Sequence, residues 1–347
     1  MESGEYVPGS VYFYAPNKGA AIFFAIAFAF SGFYHIYQCM IQLYLSSLNN
    51  TDREHQPLQE LAPNWPLRLL RRPIRRGLRR APGEPLATPT SSISVCLIYG
   101  APPLLELANY NILGRILYYA PYHSPIHPGQ VITTFAFISA VIEALNGNGV
   151  SLTANQSLAP WRQDIGRALL KASLLIQVFV ITLFILLAAI FHRRCYKSGM
   201  RNAKLYNPLY TLYISTALLF ARTIFRVVEY WSIAEHDYWK PGFDPKSLSP
   251  AIRYESFFYV FEAMLMLINH VLLNVRHPRM WLPKSTKTYL SRADGATEID
   301  GPGYKDGRPF WVTLVDPFDV HGLLGGRKKG GELWDGDGEQ RTGKDGC

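Results

Sequence analysis

From Ala172 to Phe191 the chain runs for 20 residues without a charge. The hydrocarbon core of a bilayer is ~30 Å thick and takes roughly 20 mostly apolar helical residues to cross. Backbone polar groups inside that layer find no water, so a crossing segment must satisfy them internally as a helix. Other segments of the same character lie at about 19–45, 92–118, 131–147, 205–231 and 254–275, with this one extended to about 168–191. Gly19–Leu45 holds no charge over 27 residues, which is long for a signal-peptide core, and Glu2 and Glu5 spoil a basic leader. Six spans are therefore readable. The expected fold class is all-α, a polytopic helical membrane bundle over 19–290, with an N-terminal segment 1–18, an Arg/Pro-rich insert 51–90 and a Gly-rich tail 291–347.

The mean hydropathy of +0.01 averages these apolar runs with strongly polar stretches. The net charge of +9 sits in short runs beside the spans rather than on one surface, so nucleic acid is not an expected partner. Cys39, Cys96, Cys195 and Cys347 form no CxxC pair, and neither a disulfide framework nor a metal site is indicated. No cofactor is expected. Tyr118, Tyr119 and Tyr122 follow one span, and Tyr230, Trp231, Tyr238 and Trp239 follow another. Rings with a polar tip favour the membrane–water boundary.

Charge also orients the chain. Arg193, Arg194, Lys197, Arg201 and Lys204 lie between two spans with no acid among them, and Arg276, Arg279, Lys284, Lys287 and Arg292 follow the last span. Short basic segments stay cytoplasmic, so both are expected there, along with 119–130 and the tail. The linkers 148–165 and 232–253 are then external, which suits the sequon at Asn155. The same count places 51–90 outside, although seven arginines fall within residues 68–80. One more span before Ser92 would restore the parity.

The motifs near the last two spans carry a resemblance. Arg222, Arg226 and Glu229 form R-x3-R-x2-E; Glu255, Tyr259, Glu262 and Met266 follow, then Asn274-Val-Arg-His277-Pro278. His35, Leu113-Gly-Arg115-Ile, Asn146-Gly-Asn-Gly149 and Phe191-His-Arg-Arg194 add to the pattern. The chain resembles the fungal RTA-like lipid-translocating exporters, seven-helix membrane proteins without an ATPase domain, over roughly 12–50 and 95–280. On this matching 92–118 corresponds to the family's third span, and its second has no counterpart here. The Pro/Arg-rich 57–90 stretch reads as sequence of a different origin, such as a splicing or frame error would leave. Glu262 stands where the family commonly has Asp, and Arg279 where it commonly has Gly.

Ionisable groups at membrane depth cost at least ~2.5–3.5 kcal/mol each on insertion scales, so they face the bundle and find partners. Arg222, Arg226 and Glu229 share one helical face; Glu255, Glu262 and Asn269, spaced by sevens, share another. Adding Glu106, Arg115 and Glu143 gives five carboxylates against three guanidiniums, leaving about two acids without a fixed cation. The arginines clamp the last two spans, or a spare carboxylate such as Glu143 or Glu262 receives a lipid amine or cycles a proton. In the second case Glu262→Gln loses resistance to a cationic amphiphile with protein still at the membrane. Asn274 and His277 complete the candidate set; His277-Pro278 terminates the last span. Gly147 and Gly149 permit close helix approach or end their span.

The run Gly338–Asp345 imitates a phosphate-binding loop, but Asp345 replaces the required Ser or Thr and no strand precedes it. Within the tail, 309–318 is apolar enough to dock locally. The resemblance implies a translocator of sphingoid-base-like or other amphipathic molecules that confers resistance to toxic amphiphiles. Its expected partners are membrane lipid and an amphipathic small molecule. The alternative is a seven-helix receptor or sensor governing a lipid or toxin response. A zinc-type intramembrane hydrolase needs a convergent His/Asp set that His35, His270 and His277 do not form, so no enzyme is expected. The expected location is the plasma membrane.

Overall fold

The computed structural model describes residues 18–51, 89–126, 128–154, 157–234, 249–283, 285–292 and 295–300. Residues 1–17 of the N-terminal segment, most of the insert 51–90, Asn155, Tyr238, Trp239, the phosphate-loop mimic and the apolar stretch 309–318 lie outside these residues. The protein is helical, as its hydropathy pattern requires. Five long helices come first: α1 Lys18–Thr51, α2 Pro89–Tyr119, α3 Pro128–Ala154, α4 Pro160–Lys197 and α5 Ala203–Ala234. A short turn, Pro250–Arg253, leads into a composite rod designated α6. It is α-helical over Glu255–Phe258, π-helical over Tyr259–Met264 and α-helical again over Leu265–Val275. A small antiparallel hairpin follows, β1 Thr288–Leu290 with β2 Glu298–Asp300, in the register Tyr289 opposite Ile299.

Helical stretches long and apolar enough to cross a membrane lie in α1, α3, α4, α5 and α6. Helix α2 is as long, at 31 residues, but contains Pro102, Pro103 and Glu106. Helices α1 to α5 run past the expected spans, α3 and α4 the most. Helix α3 runs past Gly147 and Gly149 to Ala154, and α4 starts at Pro160 instead of 168. Proline at the first helical position is pre-set for φ and lacks only an N–H that would be unpaired there anyway. The added turn of α4 is polar, with Arg167 pairing to Asp164 at 2.5 Å beyond the apolar stretch.

Chain contacts divide the protein into two units, one comprising residues 1–28 and 100–347, the other 29–99. In the smaller unit the described residues are the helical stretches 29–51 and 89–99. In the larger, α3 packs along α4, α4 along α5, and α5 along α6. The core draws on Leu113, Ile116 and Leu117 of α2, Phe135 of α3, Phe184 and Phe191 of α4, and Leu205, Leu209 and Leu212 of α5. Tyr110, Phe135 and Phe184 meet with centroids 5.1–5.4 Å apart and join α2, α3 and α4. Leu175, Phe179 and Leu186 of α4 and Val260, Ile268 and Val271 of α6 are exposed. Large apolar side chains turned outward on long helices suit lipid rather than water.

Helices α3 and α4 approach through glycine. A Cβ on Gly149 would lie 2.7 Å from Leu170 Cγ, and one on Gly166 would lie 2.9 Å from the Gly149 carbonyl oxygen. Gly149 therefore serves approach rather than termination, while nothing comes within 4 Å of a Cβ on Gly147. We expect Gly166→Val to cost about 1–3 kcal/mol through overpacking, read as a lower melting temperature in detergent. Gly147→Ala should be neutral or slightly stabilising in the same measurement.

The basic segments meet at one end of the larger unit. Arg194 donates to the Ser124 carbonyl at 3.3 Å, and Arg115 donates to the Pro283 carbonyl. Glu298 of β2 accepts from Lys204 Nζ and Tyr119 Oη, each at 2.8 Å. These contacts put the residues after α2, α4 and α6 on the same side, as the charge pattern requires. The two donors hold the Glu298 carboxyl below its ordinary value. A depressed carboxyl contributes its stabilisation above the ordinary pKa and loses it as pH falls through the lowered one. Hydrogen-exchange protection across 288–300 should therefore be greater at about pH 6 than at about pH 3.

Candidate functional site

The ionisable residues of the last two spans meet as the helical spacing anticipates. Arg222, Arg226 and Glu229 lie on successive turns of α5, and Glu262 enters from the π segment of α6. Arg222 holds Glu262 at 2.8 Å, with both side chains under a tenth exposed. Arg226 holds Glu229 at 2.7 Å, and its Nε lies 3.3 Å from Glu262 Oε1 without a hydrogen-bonding angle. Glu262 thus stands between two guanidiniums. Phe225, next to Arg226 in sequence, stacks on Phe261, next to Glu262, with centroids 4.9 Å apart. Desolvated ions attract strongly, but only partners in good geometry offset the cost of removing both from water.

Glu106 of α2 has a different environment. It is 4% exposed and accepts from Gln177 Nε2 at 2.7 Å, Tyr110 Oη at 3.3 Å and Ser139 Oγ at 3.4 Å. Its direct donors are neutral side chains of α2, α3 and α4. Glu143, one helical turn beyond Ser139 on α3, is half-buried and hydrogen-bonded by Asn146. Arg222 interacts electrostatically with both carboxylates but pairs directly with Glu262. Among the described residues no Lys or Arg lies within ion-pair distance of Glu106 or Glu143. Glu106 and Glu143 are thus two acids of the sequence-selected set that no arginine or lysine among the described residues holds directly. Glu262, expected as a possible carrier, is committed to arginine.

Deeper on α2, Asn109 accepts from Ser215 Oγ at 2.8 Å and donates to Thr216 Oγ1 at 3.4 Å. Polar contacts thus run from the partly exposed Glu229 and Arg226 to Glu262 and Arg222, and separately from Ser215 and Thr216 of α5 to Asn109 of α2.

Three sequence-selected residues occupy other places. Arg115 does not join the carboxylates; it lies at the basic end on the Pro283 carbonyl, one helical turn before Tyr119. Glu255 sits in the first turn of α6, where a carboxylate suits the positive helix end. The intervening π segment winds i→i+5, so Glu255 and Glu262 lose the common face that an unbroken α-helix would give them. His277 caps the next turn, its Nδ1 accepting from the Arg279 N–H at 3.3 Å. Asn274 is 3% exposed. Asn269 is fully buried, and among the described residues neither its Oδ1 nor its Nδ2 has a hydrogen-bond partner. An unmet buried amide costs about 1–3 kcal/mol, which a purely structural residue would be expected to avoid.

Gln177, Tyr110, Ser139 and Asn109 were not singled out from the sequence. A signal was present, because Gln177 is the one amide in the uncharged run 172–191, and Asn109 and Tyr110 follow Glu106 at helical spacing. Among the described residues no three His, Cys, Asp or Glu side chains are grouped to share a metal ion.

Comparison with known proteins adds to this picture. A family described as RTA1 like protein matches residues 82–285. The lipid-translocating exporter-like protein RTA1 of Leptosphaeria maculans is 40% identical over 332 residues, covering 92% of this chain. The chain spans 60% of that relative's length. A protein of the same name from Ajellomyces capsulatus is 28% identical over 251 residues, covering 69% of this chain and 74% of the relative. No solved structure matches.

Proposed function

The chain belongs to the RTA1-like protein family, and from that premise we propose that it translocates amphipathic lipids with a cationic head, of the sphingoid-base kind. Glu106 and Glu143 receive the amine. The observation that carries this reading is that Glu106, buried in the bundle, is held by neutral donors alone. A lipid ammonium supplies the missing positive charge, while its chain stays among the apolar side chains outside the helices. Gln177, Tyr110 and Ser139 keep the carboxylate oriented before the amine arrives, so little ordering remains to be done on binding. The arginine clamp holds α5 and α6 beside this site and sets the electrostatic background. In the cell the protein acts in the plasma membrane with its basic end and tail in the cytoplasm, and export of the amphiphile gives resistance to it.

The test is reconstitution. Liposomes containing the full chain should move a fluorescent long-chain amine between leaflets faster than empty liposomes, and should leave its N-acetylated analogue where it was. Equal movement of the two compounds would remove the role assigned to the amine. Movement of neither would favour a sensor.

A further inference from the structure

Three oxygens close a ring inside the bundle. Tyr110 Oη lies 3.3 Å from Glu106 Oε2 and 3.1 Å from Ser139 Oγ, and that Oγ lies 3.4 Å from the same Oε2. Building on the reading that Glu106 receives the amine, we propose that Oε2 carries an exchangeable proton whenever no amine is bound. Translocation is then a trade of one proton for one lipid ammonium.

The count of hydrogens in the ring carries the assignment. Each hydroxyl has one proton to donate. Two protons make two hydrogen bonds, but the ring has three edges. With an ionised carboxylate and both hydroxyls donating to it, Tyr110 Oη and Ser139 Oγ would face each other at 3.1 Å with lone pairs alone. A third proton on Oε2 completes the cycle: the carboxyl donates to one hydroxyl, that hydroxyl to the other, and the second back to the carboxyl. Gln177 Nε2 already donates to Oε1 at 2.7 Å, so the proton goes to Oε2.

The charges around the ring lead the same way. From α3, Ser139 is neutral and Glu143 adds a like charge. From α4, Gln177 is neutral. From α5, Arg222 acts on Glu106 electrostatically but is paired with Glu262 of α6 at 2.8 Å. A buried carboxylate without a cation of its own is neutralised by a proton or by a cation that arrives. Glu106 is 4% exposed, and the amine is that cation.

The exchange balances. The ammonium arrives with its own protons, the Oε2–H bond breaks, and the released proton leaves to water on the side of the half-buried Glu143. An ammonium N–H then donates to Oε2 in its place. Across the membrane the lipid departs as a proton returns. One positive charge moves each way, so the cycle carries no net charge.

The experiment titrates the full chain in detergent with a long-chain primary amine, by calorimetry in two buffers of different ionisation heat. At about pH 6 an ordinary carboxyl has already lost its proton, while an alkylammonium keeps its own. Wild type should release about one proton per amine bound, and Glu106→Gln should release none. In liposomes at equal pH on both sides, a potassium diffusion potential of either sign should leave the rate of amine movement unchanged. Amine binding without proton release, or a rate that follows the potential, overturns the exchange and leaves the amine site standing. Absence of both binding and movement removes the amine site and the exchange with it.

Discussion

Glu262→Ala should lower the stability of the purified protein by about 3–5 kcal/mol and leave little of it at the membrane. The reason lies in what remains. Arg222 loses the carboxylate 2.8 Å away and stays buried as an unpaired cation, its Nε already without a hydrogen-bond partner among the described residues. Glu229 is held by Arg226 at 2.7 Å and does not replace the lost partner of Arg222. Removing both charges together, Arg222→Met with Glu262→Leu, should restore most of the loss, because buried ion pairs are often replaced by well-packed apolar residues at no net cost. Fluorescence-detected size exclusion and a melting curve in detergent separate the single from the double variant. Equal damage in both would mean that packing, not charge, holds α5 to α6. In the alternative where Glu262 acts as a spare carboxylate, Glu262→Gln spares the protein and loses only resistance.

Glu106→Gln should have the opposite profile. Amine translocation in liposomes should fall to the level of empty vesicles, while stability changes by less than about 1 kcal/mol. An amide has nearly the shape of the carboxylate it replaces. Its oxygen still accepts from Gln177, and its NH2 donates to the hydroxyl oxygens of Tyr110 and Ser139, which now accept. What disappears is the negative charge that recognises an ammonium. Glu143→Gln should produce a smaller loss, because that carboxylate is half-buried and a passing amine meets it with more water present. If Glu106→Gln moves the amine at the wild-type rate, the carboxylate is a structural group of α2 and the substrate assignment fails.

The helices were legible in the sequence because bilayer crossing imposes a crude demand, a long stretch with almost no charge. That demand says little about ends: proline at the start of α4 extends the helix through Arg162, Asp164 and Arg167. The spacing of Arg222, Arg226 and Glu229 predicted a shared face because α5 is an uninterrupted α-helix there. The same reasoning fails for Glu255 and Glu262, since the π-helical turn between them changes the number of residues per turn. The excess of acids over arginines implies that some carboxylates lack a fixed cation. Which ones depends on partners far apart in the chain, such as Gln177 for Glu106, and no local pattern joins them. Arg115 was grouped with the carboxylates on charge alone, although its place near the end of α2 commits it to a backbone carbonyl at the basic end.

The wide winding at Tyr259–Met264 has a mechanical consequence. A coil that spends an extra residue in one place carries slack. Let that slack migrate one turn toward Val275, and the stretch around Glu262 would rotate about the rod's axis, withdrawing its carboxylate from Arg222 while both ends of the rod stayed put. Such a shift would part the last two helices at one point without unwinding either of them.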